Sequence, residues 1–91
     1  MQKLFTLYDI KSETYTAPTV NPTRAQAIRS FGDAVNNKNQ PSVLTDHPED
    51  FTLFEIGEFD IRTGQITLYE AKFPVANGLD VKEPDAITRS N

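Results

Sequence analysis

A single histidine, His47, stands among Asp46, Glu49 and Asp50, and a second set of carboxylates, Glu55, Glu58, Asp60 and Glu70, follows in the next third of the chain. The first group has the residue types of a metal or proton-transfer site, and the second those of a hydrolase with paired carboxylates. Zinc normally takes three or four ligands from His, Cys or carboxylate, whereas the acids beside His47 flank Pro48 in a turn where such side chains cap backbone amides. Acid–base work by paired carboxylates needs one pKa raised by burial, and acidic residues are almost never fully buried unless paired. His47 is therefore expected in a structural turn, and the strand carboxylates in solvent. Cysteine and a Gly-x-Ser-x-Gly motif are missing, and Gly32, Gly57, Gly64 and Gly78 are too scattered for a phosphate-cradling loop. Neither catalysis nor a metal or cofactor is expected.

Binding chemistry is better represented. Phe5, Tyr8, Tyr15, Phe54, Phe59 and Tyr69 fall on strand-like segments, and sheets that bind single-stranded nucleic acid stack bases on such rings. Most must be core in so small a domain, but Tyr8, Tyr15 and Tyr69 combine an apolar face with a polar tip and suit an exposed platform. Lys3 and Lys11 on the first strand, with Arg24 and Arg29 on the helix, would be the accompanying cations. Arg24 stands four residues before Ile28, on the apolar side of a helix N-terminus where the macrodipole disfavours positive charge. Either it reaches a partner or its stem covers the core while its head snorkels to water. Arg29 has an ion-pair candidate in Asp33, one turn later.

Charge argues against binding of nucleic acid by the whole surface. Nine basic residues face thirteen acidic ones, for a net charge of −4, and nonspecific affinity for nucleic acid comes from neutralising phosphates. Only a local basic patch would serve, since fields decay over about 8 Å at physiological salt.

The elements that would position these residues follow from hydropathy patterns. Residues 3–11 are aromatic and branched with apolar side chains on both parities, as in an interior strand or one whose second face meets another protein. A turn at Lys11-Ser12-Glu13 and a short return over 14–16, stopped near Pro18, complete a hairpin. A helix starts at Asn21-Pro22-Thr23, capped by Asn21 or by Thr23 with Gln26, and carries Ile28, Phe31 and Val35 at core-facing spacing with Ala27 and Ala34. The amide-rich run before Pro41 ends it. Residues 41–50 read as a loop with a helical turn near Ser42. A second strand spans 51–61, with Phe51, Leu53, Phe59 and Ile61 on one parity, Phe54 and Ile56 on the other, and a face-switching bulge at Gly57. A turn closed by Gly64 leads to a returning strand over 65–73.

The expected fold is α+β: an antiparallel sheet of about four strands in two β-hairpins packed on one amphipathic helix, in the order β-β-α-β-β. Residues 1–75 would form the single domain and 76–91 a polar, partly ordered tail. The 91 residues include no cysteine, and a chain of this length buries only roughly 60–65% of its unfolded surface. With no disulfide staple, a homodimer is the expected source of further burial. The Leu4–Tyr8 run is too short, and too soon broken by Asp9, to be an export signal, and no stretch approaches the length of a membrane span.

Leu7-Tyr8-Asp9 with Tyr15 and Pro18, Ala27-Ile28-Arg29 with Phe31 and Val35, and His47-Pro48-Glu49-Asp50-Phe51 with Ile56-Gly57-Glu58-Phe59-Asp60 and Thr63-Gly64 together carry a likeness. From about residue 4 to residue 73 the chain resembles the small nonstructural protein of gokushovirus-type microviruses, which are single-stranded DNA bacteriophages. The resemblance implies a protein of the host bacterial cytoplasm, kept out of the finished virion, that acts in the switch from duplex replication to single-stranded genome synthesis or packaging. It transfers no catalytic or binding residue. The first expected mechanism is an interaction module, a homodimer that binds the phage replication initiator, the capsid precursor or a host replication factor. The second is a single-stranded DNA-binding protein using Lys3, Lys11, Arg24 and Arg29 with Tyr8, Tyr15 and Tyr69. A host-directed inhibitor is a third.

Overall fold

The computed structural model describes residues 1–84. It is an α+β fold in which one five-stranded antiparallel sheet carries a helix on one face. Strand β1 (Gln2–Asp9) is central, as its two apolar parities require, with β2 (Thr14–Tyr15) and β3 (Thr19–Asn21) sharing one of its edges and β4 (Phe51–Phe59) on the other. Strand β5 (Ile66–Asn77) closes the sheet beyond β4. The fifth strand, β3, was not expected, because Pro18 reads as a stop. Here the chain passes Pro18 and re-pairs with β1, Val20 opposite Leu4.

Helix α1 (Arg24–Val35) begins at Thr23, whose hydroxyl accepts a hydrogen bond from the Gln26 amide, so Thr23 and not Asn21 is the cap. Its Ala27, Phe31 and Val35 meet Phe5, Phe51 and Leu53 of the sheet, and Ile28, Leu7, Leu44 and Val81 surround them. This cluster lies on the helix side of the sheet, while on the other face Leu4, Thr6 and Gly57 are also buried. A one-turn helix α2 (Val43–Asp46), capped by Ser42, and a 3₁₀ turn at Pro48–Asp50 then feed β4.

The bulge expected at Gly57 is present. Leu4 pairs with Gly57 and Phe5 with Glu55, so Ile56 has no opposite number and the parity of β4 changes there. Gly57 is required on packing grounds, because a Cβ at this position would run into the Thr67 carbonyl. Phe59 consequently leaves the face of Phe51 and Leu53 and joins Gln2 and Ile66 on the other.

The ordered chain runs past the expected domain boundary at residue 75. Strand β5 continues to Asn77 through Pro74, which an edge strand tolerates because its missing N–H faces away from the ladder. A last turn, α3 (Gly78–Val81), then packs against α1, and Asn36 Nδ2 donates to the Val81 carbonyl at 3.0 Å. Of the tail expected over 76–91, residues 85–91 lie outside the described residues.

Candidate functional site

Two features stand out, one on each face of the sheet. On the helix side, near the start of α1, Glu55 of β4 is 2% exposed and is among the largest fully buried side chains. The Arg24 Nε donates to its Oε1 at 2.8 Å, the Tyr69 hydroxyl donates to its Oε2 at 2.5 Å, and Lys3 Nζ lies 3.5 Å from Oε2. Burial works to raise the Glu55 pKa, but the hydrogen bonds from Tyr69 and Arg24 and the charges of Arg24 and Lys3 outweigh it and hold the carboxyl below its usual value. The Tyr69 hydroxyl is pushed up to about 12, first by its bond to Glu55 and then by burial.

Glu55 therefore departs from the solvent position expected of it, and the reason is pairing. A carboxylate is tolerated inside when cations and donors reach both oxygens, and β1, α1 and β5 supply one partner each. The Arg24 guanidinium also stacks over the Phe73 ring, 4.5 Å from its centroid. Its odd place on the apolar side of the helix start is explained by an internal partner.

The second feature is the face of the sheet that no helix covers. Cross-strand partners share a face, so the registers place Val20, Leu4, Gly57 and Leu68 in one row, Phe54 and Thr6 with Pro74 in another, and Tyr15, Tyr8 and Thr52 in a third. Leu68 is 65% exposed, Ile66 54%, Tyr15 47% and Val20 42%. The Tyr15 ring leans on Tyr8 with centroids 4.6 Å apart and meets Phe54 edge-on at 6.3 Å.

An arch of β5 stands over this outer face. Leu68 pairs with Gly57 and Phe73 with Glu55, so residues 69–72 face the single residue Ile56 and buckle out of the ladder. They lean across β4 and β1, bringing Lys72 Nζ to 5.2 Å from the centroid of the Tyr15 ring on β2. Between the arch and Pro18 lies a groove of about 370 Å³, with Thr6 and Ile56 among its lining. Tyr69, at the foot of the arch, turns the other way to Glu55, so one buried carboxylate on the helix side anchors a wall of the groove on the outer side.

The residues expected to bind a partner do not form one patch. Lys3, Arg24 and Tyr69 converge on Glu55, and Tyr8 and Tyr15 share the outer face. Lys11 is exposed in the β1–β2 turn, where its backbone amide donates to Asp9 Oδ1. Arg29 is exposed on α1, and among the described residues no ion pair joins it to Asp33. Sequence reasoning passed over Glu55 as an anchor, and Val20, Leu68 and Lys72 as surface. The mixed parity of β4 and the Gly57 bulge were the available signals for an apolar second face.

His47 and Glu49 are exposed around the 3₁₀ turn, with His47 Nδ1 3.4 Å from Glu49 Oε2, and the donor atoms of His47, Glu49 and Asp50 lie within 4.8 Å of one another. A backbone hydrogen bond is the main cause of the lowered Glu49 pKa. That fits acids that cap a turn.

No helix among the described residues is long and apolar enough to cross a membrane. A family model described as Phage ORF5 protein matches residues 2–81. No curated protein and no solved structure matches the chain.

Proposed function

The chain belongs to the Phage ORF5 protein family, and on that premise we propose that it is a non-virion accessory protein that works as a protein-interaction module, homodimeric through the outer face of its sheet. The observation that carries this reading is the helix-free face of the sheet, on which Val20, Leu68, Ile66 and Tyr15 are substantially exposed around the arch. Several exposed apolar side chains gathered on one face mark an interaction site more often than ones scattered singly do.

Size supports self-association. The sheet is four strands wide and β1 is eight residues long, so at about 4.8 Å per strand and about 3.4 Å per residue the face measures roughly 500 Å². Two copies face to face would bury at most roughly 1,000 Å², the range of a weak specific interface. The chain has no disulfide to compensate for a core whose main cluster is small, which gives such burial a stabilising role.

The biological setting is the host bacterial cytoplasm, in the switch from duplex replication to single-stranded genome synthesis or packaging. Its support is the resemblance to the nonstructural protein of gokushovirus-type microviruses together with the phage family. The role is non-catalytic, and the further partner is a phage replication or capsid protein or a host replication factor. Direct binding of single-stranded DNA is the competing reading, and the Tyr8–Tyr15 pair beside Lys72 is what would serve it. Against it, Lys3 and Arg24 are engaged by Glu55 and the net charge is −4.

Light scattering at micromolar concentration tests the proposal. The expected result is twice the chain mass for the natural sequence and the single-chain mass for Leu68→Asp. A single-chain mass for the natural sequence, with salt-sensitive binding of an oligonucleotide, would replace the dimer by the DNA reading.

A further inference from the structure

Resting on the self-association just proposed, we infer that the two copies meet about a two-fold axis that lies in the interface and crosses the arch at Ala71. That axis sets Glu70 of each copy against Lys72 of the other. A homodimeric contact of this kind is isologous, so the surface must be complementary to itself, and each feature on it must find its counterpart by a half-turn. The arch meets this condition. Glu70, Ala71 and Lys72 are exposed and stand above the outer face as one wall of its groove. An acid and a base flank a residue with the smallest side chain that still has a Cβ. A half-turn about Ala71 exchanges the acid for the base and lets the two backbones approach closely.

The sheet edges are poor alternatives. β2 and β3 are two and three residues long, and the arch and Pro74 interrupt the outer edge of β5. Short and bulged edges of this kind discourage strand-to-strand pairing. The open face remains, and on it the apolar rows of Leu68 and Val20 and of Ile66 lie beside the arch. In the proposed arrangement these rows supply burial and the two reciprocal ion pairs fix the orientation.

Charge reversal tests the axis separately from the dimer. Sedimentation equilibrium would be run on the natural sequence, Glu70→Lys, Lys72→Glu and the double variant. Both sites of change are exposed, so folding is spared. Each single reversal opposes like charges twice and is expected to weaken association about ten-fold, while the double variant restores it to within about three-fold of the natural sequence. The chain has no cysteine, which allows a second readout. Ala71→Cys is expected to give a disulfide-linked dimer under mild oxidation, and Ile61→Cys in the β4–β5 loop is not. A dimer with neither charge rescue nor an Ala71→Cys link overturns the axis and leaves self-association standing. A natural chain that stays monomeric overturns both.

Discussion

The Tyr69 hydroxyl donates to the buried carboxylate of Glu55 at 2.5 Å, and this one bond ties an arch standing over the open face of the sheet to the helix side of the same sheet. Glu55 is the fixed point, because Arg24 and Lys3 hold it from α1 and β1. Tyr69 is the movable one, since the arch has no ladder partners to replace it.

Tyr69→Phe keeps the ring and removes the donor. It is expected to cost about 1–2 kcal/mol, the range for leaving a buried acceptor one bond short. Chemical denaturation reads that cost. Backbone ¹⁵N relaxation is expected to show greater motion at residues 70–72 and none added in α1, and equal change throughout would mean that the bond stabilises the fold without positioning the arch.

The pKa shifts of the same pair set two pH limits. The Glu55 pKa is lowered in the folded state from 4.5, so its contribution is present above 4.5 and is lost as pH falls below that value. Tyr69 is raised from 10.0 to about 12, so its contribution is complete below 10.0 and is lost as pH rises toward 12. Thermal melts of the natural chain are expected to fall off in both ranges, and Tyr69→Phe is expected to flatten the alkaline one.

Gly57→Ala tests the bulge. The added methyl meets the Thr67 carbonyl, which is backbone and cannot swing away. Overpacking of this sort costs about 1–3 kcal/mol, and a lowered denaturation midpoint is the expected reading. Gly64→Ala, in the β4–β5 loop with nothing near its Cβ but a φ of +77°, meets no such wall and is expected to show only the backbone penalty, about 1 kcal/mol.

Asn77 is the joint between β5, α3 and the 3₁₀ turn. Its Nδ2 donates to the carbonyls of Glu49 at 3.1 Å and Phe51 at 3.0 Å, and its Oδ1 accepts from the Leu79 amide at 3.0 Å. Asn77→Asp keeps the acceptor but sets an oxygen against two carbonyls. It is expected to destabilise by about 2–3 kcal/mol at neutral pH, and the loss is expected to shrink under acid, where the carboxyl regains a proton to donate.

Local rules carried much of this fold into the sequence. Thr23 with Gln26, the stripe of Phe31 and Val35, and the glycines at 57 and 64 each impose a cap, a face or a turn within a few residues, and such signals can be read without knowing the rest of the chain. β3 was hidden because its three residues gain their strand only by pairing with β1, and the fold beyond residue 75 because Val81 and Asn77 are ordered by contacts with α1 and the 3₁₀ turn. Glu55 was misjudged for the same physical reason. A lone carboxylate belongs in water, and Tyr69, Arg24 and Lys3 become its partners only after three elements meet. The arch leaves no periodic trace, since four strand-like residues that leave a ladder look the same in sequence as four that stay in it.

The central claim, that the outer face of the sheet is where copies of this chain meet, is tested most directly by following methyl and aromatic NMR signals through a dilution series. The signals of Val20, Ile56, Leu68 and Tyr15 are expected to move together with concentration, while those of Phe31, Val35 and Leu53 in the core stay fixed. Movement confined to α1, or no movement from micromolar to millimolar concentration, would contradict it.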